Sequence, residues 1–395
     1  MTQQTQHDPR SQHAQLQGAQ SDGTEALRRQ IEKHLADFFA EQQSAAEAYG
    51  MEFSGLWALA SEHVQGGKLV RPVLMMTIVE ALLAAEIGTM SASGTSSETA
   101  SGALDRATLL RLAVAIEVLH YSFLLHDDVI DGDVMRRGKR NLIGALQDTQ
   151  TATRDDVGSS MRALHWARTG GILMGDLLLS ATHQIVARAK LPHETRLRLL
   201  DLLDHTIFES VAGEITHLGP LPDHFFPHLQ TGLTMSAHKT ATYTFELPLR
   251  VAAILAGVSR ETEGALITAG RHLGLAFQLQ DDYLSTFGDP REHGKDAFSD
   301  LREGKHTAII SFARMTSAWV EIEQDFGNPD LSYESGEAMR DLLAECGAER
   351  FMCDLVEEQT AALFELFARG SAVPIPSAAR EVLLGLAAEL DRRRA

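Results

Sequence analysis

Apolar residues recur along this chain at intervals of three and four, in one long stretch after another. That spacing lays an apolar stripe along one face of a 3.6-residue helix. The pattern is helical from Thr24 to Leu69, where Gly66-Gly67 breaks it, and Pro72 can open the next helix at its first turn. Val70 to Ile87 is an apolar helix. Arg106 to His126 is more apolar still and runs into Asp127-Asp128. Further helices are predicted near 166–189, 194–217, 235–256 and 262–287, then near 306–325, 335–347, 350–369 and 376–393. Strand-like alternation is nowhere sustained. The expected fold class is all-α, about a dozen helices in a single large bundle.

The interruptions are as informative as the helices. Residues 1–24 are rich in Gln, Ser and His and poor in large apolar groups, so they should form a disordered tail. The stretch GTMSASGTSSETASG (88–102) is built of small polar residues and predicts a flexible insertion at about 88–104. Arg137 to about Arg162 is polar and contains Gly, which reads as a long surface loop with Asp155-Asp156 solvated on it. Gly288-Asp289-Pro290 opens another loop, to about Gly304. No repeat or linker divides residues 25–395, so they are expected to form one domain.

Composition narrows the function. The chain has 395 residues, 44% of them hydrophobic, ample for a large core. A net charge of −19, from 54 acidic and 35 basic residues, argues against nucleic acid as a partner, which needs a basic footprint. It leaves room for a small phosphorylated ligand held by a local basic cluster. Cys346 and Cys353 make no CxxC pair, sit seven apart on one expected helix, and read as free thiols of a reducing compartment. No uninterrupted apolar run of about 20 residues exists, and MTQQTQHDPRSQHAQ lacks a signal-like apolar core. A cytoplasmic protein without stable membrane insertion is the expectation.

Two acidic clusters close two apolar helices. Asp127, Asp128 and Asp131 form the first, with Asp127 and Asp131 four apart on one helical face. Carboxylates oppose the dipole at a helix C-terminus, and crowding them beside an apolar wall is costly without a cation. Carboxylate oxygens are the ligands Mg²⁺ prefers. The second cluster, Asp281-Asp282, ends Phe277-Gln278-Leu279-Gln280. Together the two suggest a central apolar cavity with metals at its mouth. Basic residues flank both: Lys68 and Arg71 beside the Gly66-Gly67 turn, Arg136, Arg137, Lys139 and Arg140 after the first cluster, and Lys295 and Lys305 after the second. Acids alone repel a diphosphate, at about 4 kcal/mol per unit-charge pair at ~4 Å and an effective dielectric of ~20. Bridging Mg²⁺ reverses that sign, so acids and bases together fit a metal–diphosphate.

These residues resemble the trans-isoprenyl diphosphate synthase (polyprenyl synthetase) family across about residues 60–310, with the family's motifs in order. GGKLVRP is similar to its GGKxxRP. DDVID with the following RRG resembles its first aspartate-rich motif. Lys239-Thr240 resembles its KT pair, and FQLQDD with GDPREHGKDAFSDLREGKHT its second aspartate region. The resemblance implies an isoprenoid-synthase helical bundle. It implies head-to-tail condensation of isopentenyl diphosphate with an allylic diphosphate, three Mg²⁺ per active site, and a homodimer. Asp127, Asp128 and Asp131 would hold Mg²⁺ against the allylic diphosphate, and Asp281 with Asp282 a third ion. Arg136, Lys239 and Lys295 would contact the allylic diphosphate; Lys68, Arg71, His120 and Arg137 would bind isopentenyl diphosphate. Gln278 and the Lys239-Thr240 backbone would stabilise the allylic cation, and Lys305 would be peripheral to the diphosphate site.

One departure stands out: the family's second motif is DDxxD, whereas Asp281-Asp282-Tyr283-Leu284-Ser285 ends in serine. Product length should be set one helical turn before Asp127, where Phe123 could act as a floor and small Ser122 could let the chain pass. That mixture points to geranylgeranyl diphosphate, with farnesyl or longer products, or a non-catalytic subunit, as alternatives. Glu117-Val-Leu-His120 and Glu214-Ile-Thr-His217 admit a di-iron bundle, and the first motif admits a class I terpene cyclase.

Overall fold

The computed structural model describes residues 9–93, 104–136, 138–151, 159–218, 237–288, 298–368 and 373–392. Helix α4 (Arg106–Ile130) is its axis. Asp105 caps it, accepting a 2.6 Å hydrogen bond from the Thr108 amide. The helix is buried on nearly every side from Leu109 to Leu125, as its continuous apolar sequence requires. By length and composition α4 could cross a membrane, but 83% of its apolar window is covered by the rest of the protein, so it is a core helix. Around it pack α1 (Pro9–Ala46), α3 (Val70–Ser93), α5 (Leu142–Thr151) and α6 (Ser159–Ala187). A 3-10 turn (Glu47–Tyr49) leads from α1 into α2 (Met51–Val64), and α7 (His193–Leu218) follows α6.

The second long helix of the site is α9 (Arg260–Phe287), capped by Ser259 accepting from the Thr262 amide at 3.1 Å. It lies against α8 (Leu247–Ala256) and the segment before it, Ala237–Glu246. That segment is a π-helix, a wider turn that is rare and concentrates at functional sites. Gly274 lets the two meet: a Cβ there would stand 2.2 Å from the Ala241 Cβ and 2.6 Å from its Cα. Short helices α10 (Ser299–Arg302), α11 (Ala308–Ala313) and α12 (Trp319–Ile322) lead to α13 (Tyr333–Glu345), α14 (Ala348–Leu366) and α15 (Ser377–Arg392). The core has two parts. One centres on α3, α8, α9 and one side of α4; the other gathers Phe39, Trp57, Tyr121, Leu125, Ile143 and Met174 on the opposite side of α4.

The all-α expectation holds, and the boundaries move. α1 starts at Pro9, within the segment expected to be a tail; Gln and Ala there are adequate helix formers once Leu27 and Ile31 are buried. The stretch from 137 to 162 is not one loop. A two-residue hairpin, β1 (Met135–Arg136) with β2 (Lys139–Arg140), precedes α5, whose start is tied down by Asn141 accepting from the Gly144 amide at 2.9 Å. The helix expected over 306–325 is broken into α11 and α12. Cys346 and Cys353 are unbridged thiols, as expected, but do not share one helix: Cys346 caps α13, and α14 begins beyond Gly347, whose φ is +90°. Most of the expected insertion, residues 94–103, and Asp155-Asp156 lie outside the described residues.

Candidate active site

The first acidic cluster is the end of α4. Asp127 and Asp128 belong to its last turn, and Asp131 is the C-cap, its amide donating to the Asp127 carbonyl at 2.8 Å. Asp128 is 3% exposed and takes a 2.6 Å hydrogen bond from Arg136 Nη2 on the hairpin. Burial pushes the Asp128 carboxyl above its ordinary range, and the Arg136 guanidinium counteracts part of that. For Arg136 burial works the other way, but the attraction of Asp128 outweighs it and holds the guanidinium firmly charged.

The second cluster lies in the last two turns of α9, which runs on to Phe287. Gln278 Nε2 donates to Asp282 Oδ1 at 2.7 Å, fixing a buried carboxylate on the same helical face. Asp281 beside it is partly exposed. Ser285 is buried, and its hydroxyl is shared between the Asp282 carbonyl at 2.8 Å and the carboxylate of Asp300 on α10.

Lys305 ties the first cluster to the segment around α10. Its ammonium lies 3.4 Å from Asp131, 3.6 Å from Asp300 and 2.7 Å from Glu303. Burial alone would lower its pKa; Asp300, Asp131 and Glu303 together hold it well above the ordinary lysine range, so it is a permanent cation. Lys305 and Asp131, 174 positions apart in the chain, are thereby brought together.

A third group of residues forms a wall around Tyr243, a side chain the motifs did not single out. The Arg71 guanidinium stands 4.8 Å over its ring and donates to Thr244 Oγ1 at 2.8 Å. His120 stacks on Tyr243 at 5.8 Å, and Phe123 meets it edge-on at 5.1 Å. One signal was available: Tyr243 follows Lys239 by four residues, one turn of an ordinary helix. Ser122 does not share this wall. It is fully buried, and its hydroxyl donates to the Gly175 carbonyl of α6 at 2.8 Å, so it takes part in the α4–α6 packing. Lys68 is exposed, and its carbonyl accepts from Arg28 at 2.9 Å. Leu69 beside it has φ +49° although buried, a left-handed conformation kept only where packing enforces it.

Arg137 and Lys295 lie outside the described residues. So do the side chains of Lys239 and Thr240, whose backbone runs in the π-helix. Among the described residues no three His, Cys, Asp or Glu side chains are drawn together in a ready-made metal cage. That suits Mg²⁺, which keeps several waters and binds through one or two carboxylates plus substrate phosphates. Asp127, Asp128 and Asp131 at the end of α4, and Asp281 and Asp282 in the last two turns of α9, are the carboxylates that could supply such ligands.

Residues 56–323 match the polyprenyl synthetase family. The chain belongs to that family. It is 29% identical to a geranylgeranyl diphosphate synthase of Methanosarcina mazei, over 73% of this chain and 76% of that one. It is 30% identical to a (2E,6E)-farnesyl diphosphate synthase of Mycobacterium bovis, over 72% and 68%. In three dimensions it is similar to a geranylgeranyl pyrophosphate synthase of Corynebacterium glutamicum solved with isoprenyl diphosphate and magnesium. The TM-score is 0.80 at 26% identity, covering 92% of this chain and 98% of the other. As a polyprenyl synthetase the protein is a prenyltransferase of a magnesium-dependent family, which sets aside the di-iron and terpene-cyclase readings.

Proposed function

We propose that this prenyltransferase joins isopentenyl diphosphate head to tail to an allylic diphosphate and releases all-trans geranylgeranyl diphosphate. The observation that carries this reading is Lys305, ion-paired with Asp131 at the end of α4 and with Asp300 on α10. Carboxylates gathered around a cation fit a substrate that is itself polyanionic. When bound, three Mg²⁺ would let the carboxylates hold the leaving diphosphate instead of repelling it.

Asp127, Asp128 and Asp131 hold one side of the allylic diphosphate and Asp281 with Asp282 the other. Arg136, Lys239 and Lys295 take its free oxygens. Arg71 and His120, with Lys68 and Arg137, hold isopentenyl diphosphate so that its double bond faces the allylic carbon. Gln278 and the carbonyls of the Lys239-Thr240 turn orient negative dipoles at the developing allylic cation. The aromatic wall of Phe123 and Tyr243 excludes water and meets the growing chain, which supports a product of limited length.

The working form is a cytoplasmic homodimer. In support, α6 and α7 expose Ile172, Leu173, Leu177, Phe208, Val211 and Ile215, more apolar surface than one chain leaves to water without purpose. The test is incubation of the purified protein with labelled isopentenyl diphosphate, Mg²⁺ and each allylic starter in turn, followed by sizing of the dephosphorylated products. Geranylgeraniol is expected. Farnesol or a longer alcohol overturns the length assignment, and absence of incorporation overturns the reaction.

A further inference from the structure

We propose that Asp300 supplies the third carboxylate of the second acidic cluster, in the position that Ser285 gives up, and that Ser285 is the residue positioning it. The inference rests on the prenyl-transfer reading and deepens it. Ser285 follows Asp281 by four residues on α9, so the two share a helical face, the face from which a third motif carboxylate would project. The Ser285 hydroxyl is hydrogen-bonded to a carboxylate all the same, that of Asp300, fifteen residues further on. A carboxylate thus stands one hydrogen bond beyond the place where an aspartate at 285 would have put its own.

Its direction is set as well. The other Asp300 oxygen, Oδ1, lies 3.6 Å from Lys305 Nζ, and that ammonium is 3.4 Å from Asp131. Asp300 therefore lies between Ser285 of α9 and the Lys305 ammonium that also meets Asp131. The backbone that presents it is anchored. Phe298, which opens α10, is buried at φ +63°. Its ring packs on Tyr333 at 5.6 Å, in room that only Gly336 allows: a Cβ there would come within 2.3 Å of the ring. A strained, buried anchor two residues before Asp300 holds it rigidly where Ser285 meets it. The serine also has a reason: an aspartate at 285 would press two carboxylates together.

The proposal is tested by calorimetric titration of Mg²⁺ into the full-length protein with inorganic pyrophosphate, a readout independent of turnover. Asp300→Asn is expected to weaken Mg²⁺ binding roughly 10- to 100-fold, and Ser285→Ala by less, as for loss of a group that orients a ligand. The exchange variant Ser285→Asp/Asp300→Ser is expected to bind within about threefold of the parent, since it moves the carboxylate back to the α9 face. Metal-free unfolding curves identify any variant that fails to fold, and the exchange variant is then read by itself. If Asp300→Asn binds Mg²⁺ as the parent does, or if the exchange restores nothing, the proposal is overturned and Asp300 is structural. If the parent itself shows no Mg²⁺-dependent pyrophosphate binding, the diphosphate reading falls with it, a separate and distinguishable result.

Discussion

The two acidic clusters are linked through Lys305 and Asp300 but are built by different routes. At the end of α4, Asp127, Asp128 and Asp131 come from five consecutive positions, and their partner Arg136 follows on a tight hairpin. In the last two turns of α9, only Asp281 and Asp282 are local; Asp300 and Lys305 arrive from a separate segment beyond Gly288. The α4 side is set by the geometry of one helix. The α9 side depends on where a short helix and its strained Phe298 are anchored. A helix end is a rigid support, whereas a two-segment site can lose one contributor and keep the other.

The difference can be broken most sharply by removing one carboxylate from each side. Asp127→Ala should lower isopentenyl diphosphate incorporation roughly 10³-fold or more, and Asp281→Ala closer to 10², as expected for loss of preorganised charge stabilisation without and with a contributor from a second segment to share the load. Steady-state rates decide it, and equal losses would erase the asymmetry. The α4 pair is next. Arg136→Met leaves a carboxylate that is 3% exposed without its cation. Because the guanidinium is 40% exposed, the expected loss is modest, about 1–2 kcal/mol in urea unfolding without metal. Adding Asp128→Asn should return part of it; a double variant less stable than Arg136→Met would show that the pair is not what matters.

Beneath the same helix end, Phe123→Ala should lengthen the product, because it removes the edge that meets Tyr243. Unchanged product size would discard the floor. The smallest effect belongs to Ser122→Ala. It should leave product length alone and cost about 1 kcal/mol, the worth of its hydrogen bond to Gly175. A change of product length on Ser122→Ala would return that residue to the tunnel wall.

The amino-acid sequence by itself determined the helical class, the two helices that matter and the identity of most charged groups. Helix-period apolar stripes, and acids at i and i+4, are local facts that any fold containing those helices must respect. It did not determine which side of α4 each residue faces: Phe123 and Ser122 are neighbours in sequence, yet one turns to Tyr243 and the other to α6. Nor did it show that 137–162 contains a hairpin and a helix, or that 237–246 widens into a π-turn against Gly274. Only tertiary structure brought Lys305 to Asp131 across 174 residues and Asp300 to Ser285. Such pairings depend on how separate segments pack, and sequence spacing carries no distance between segments.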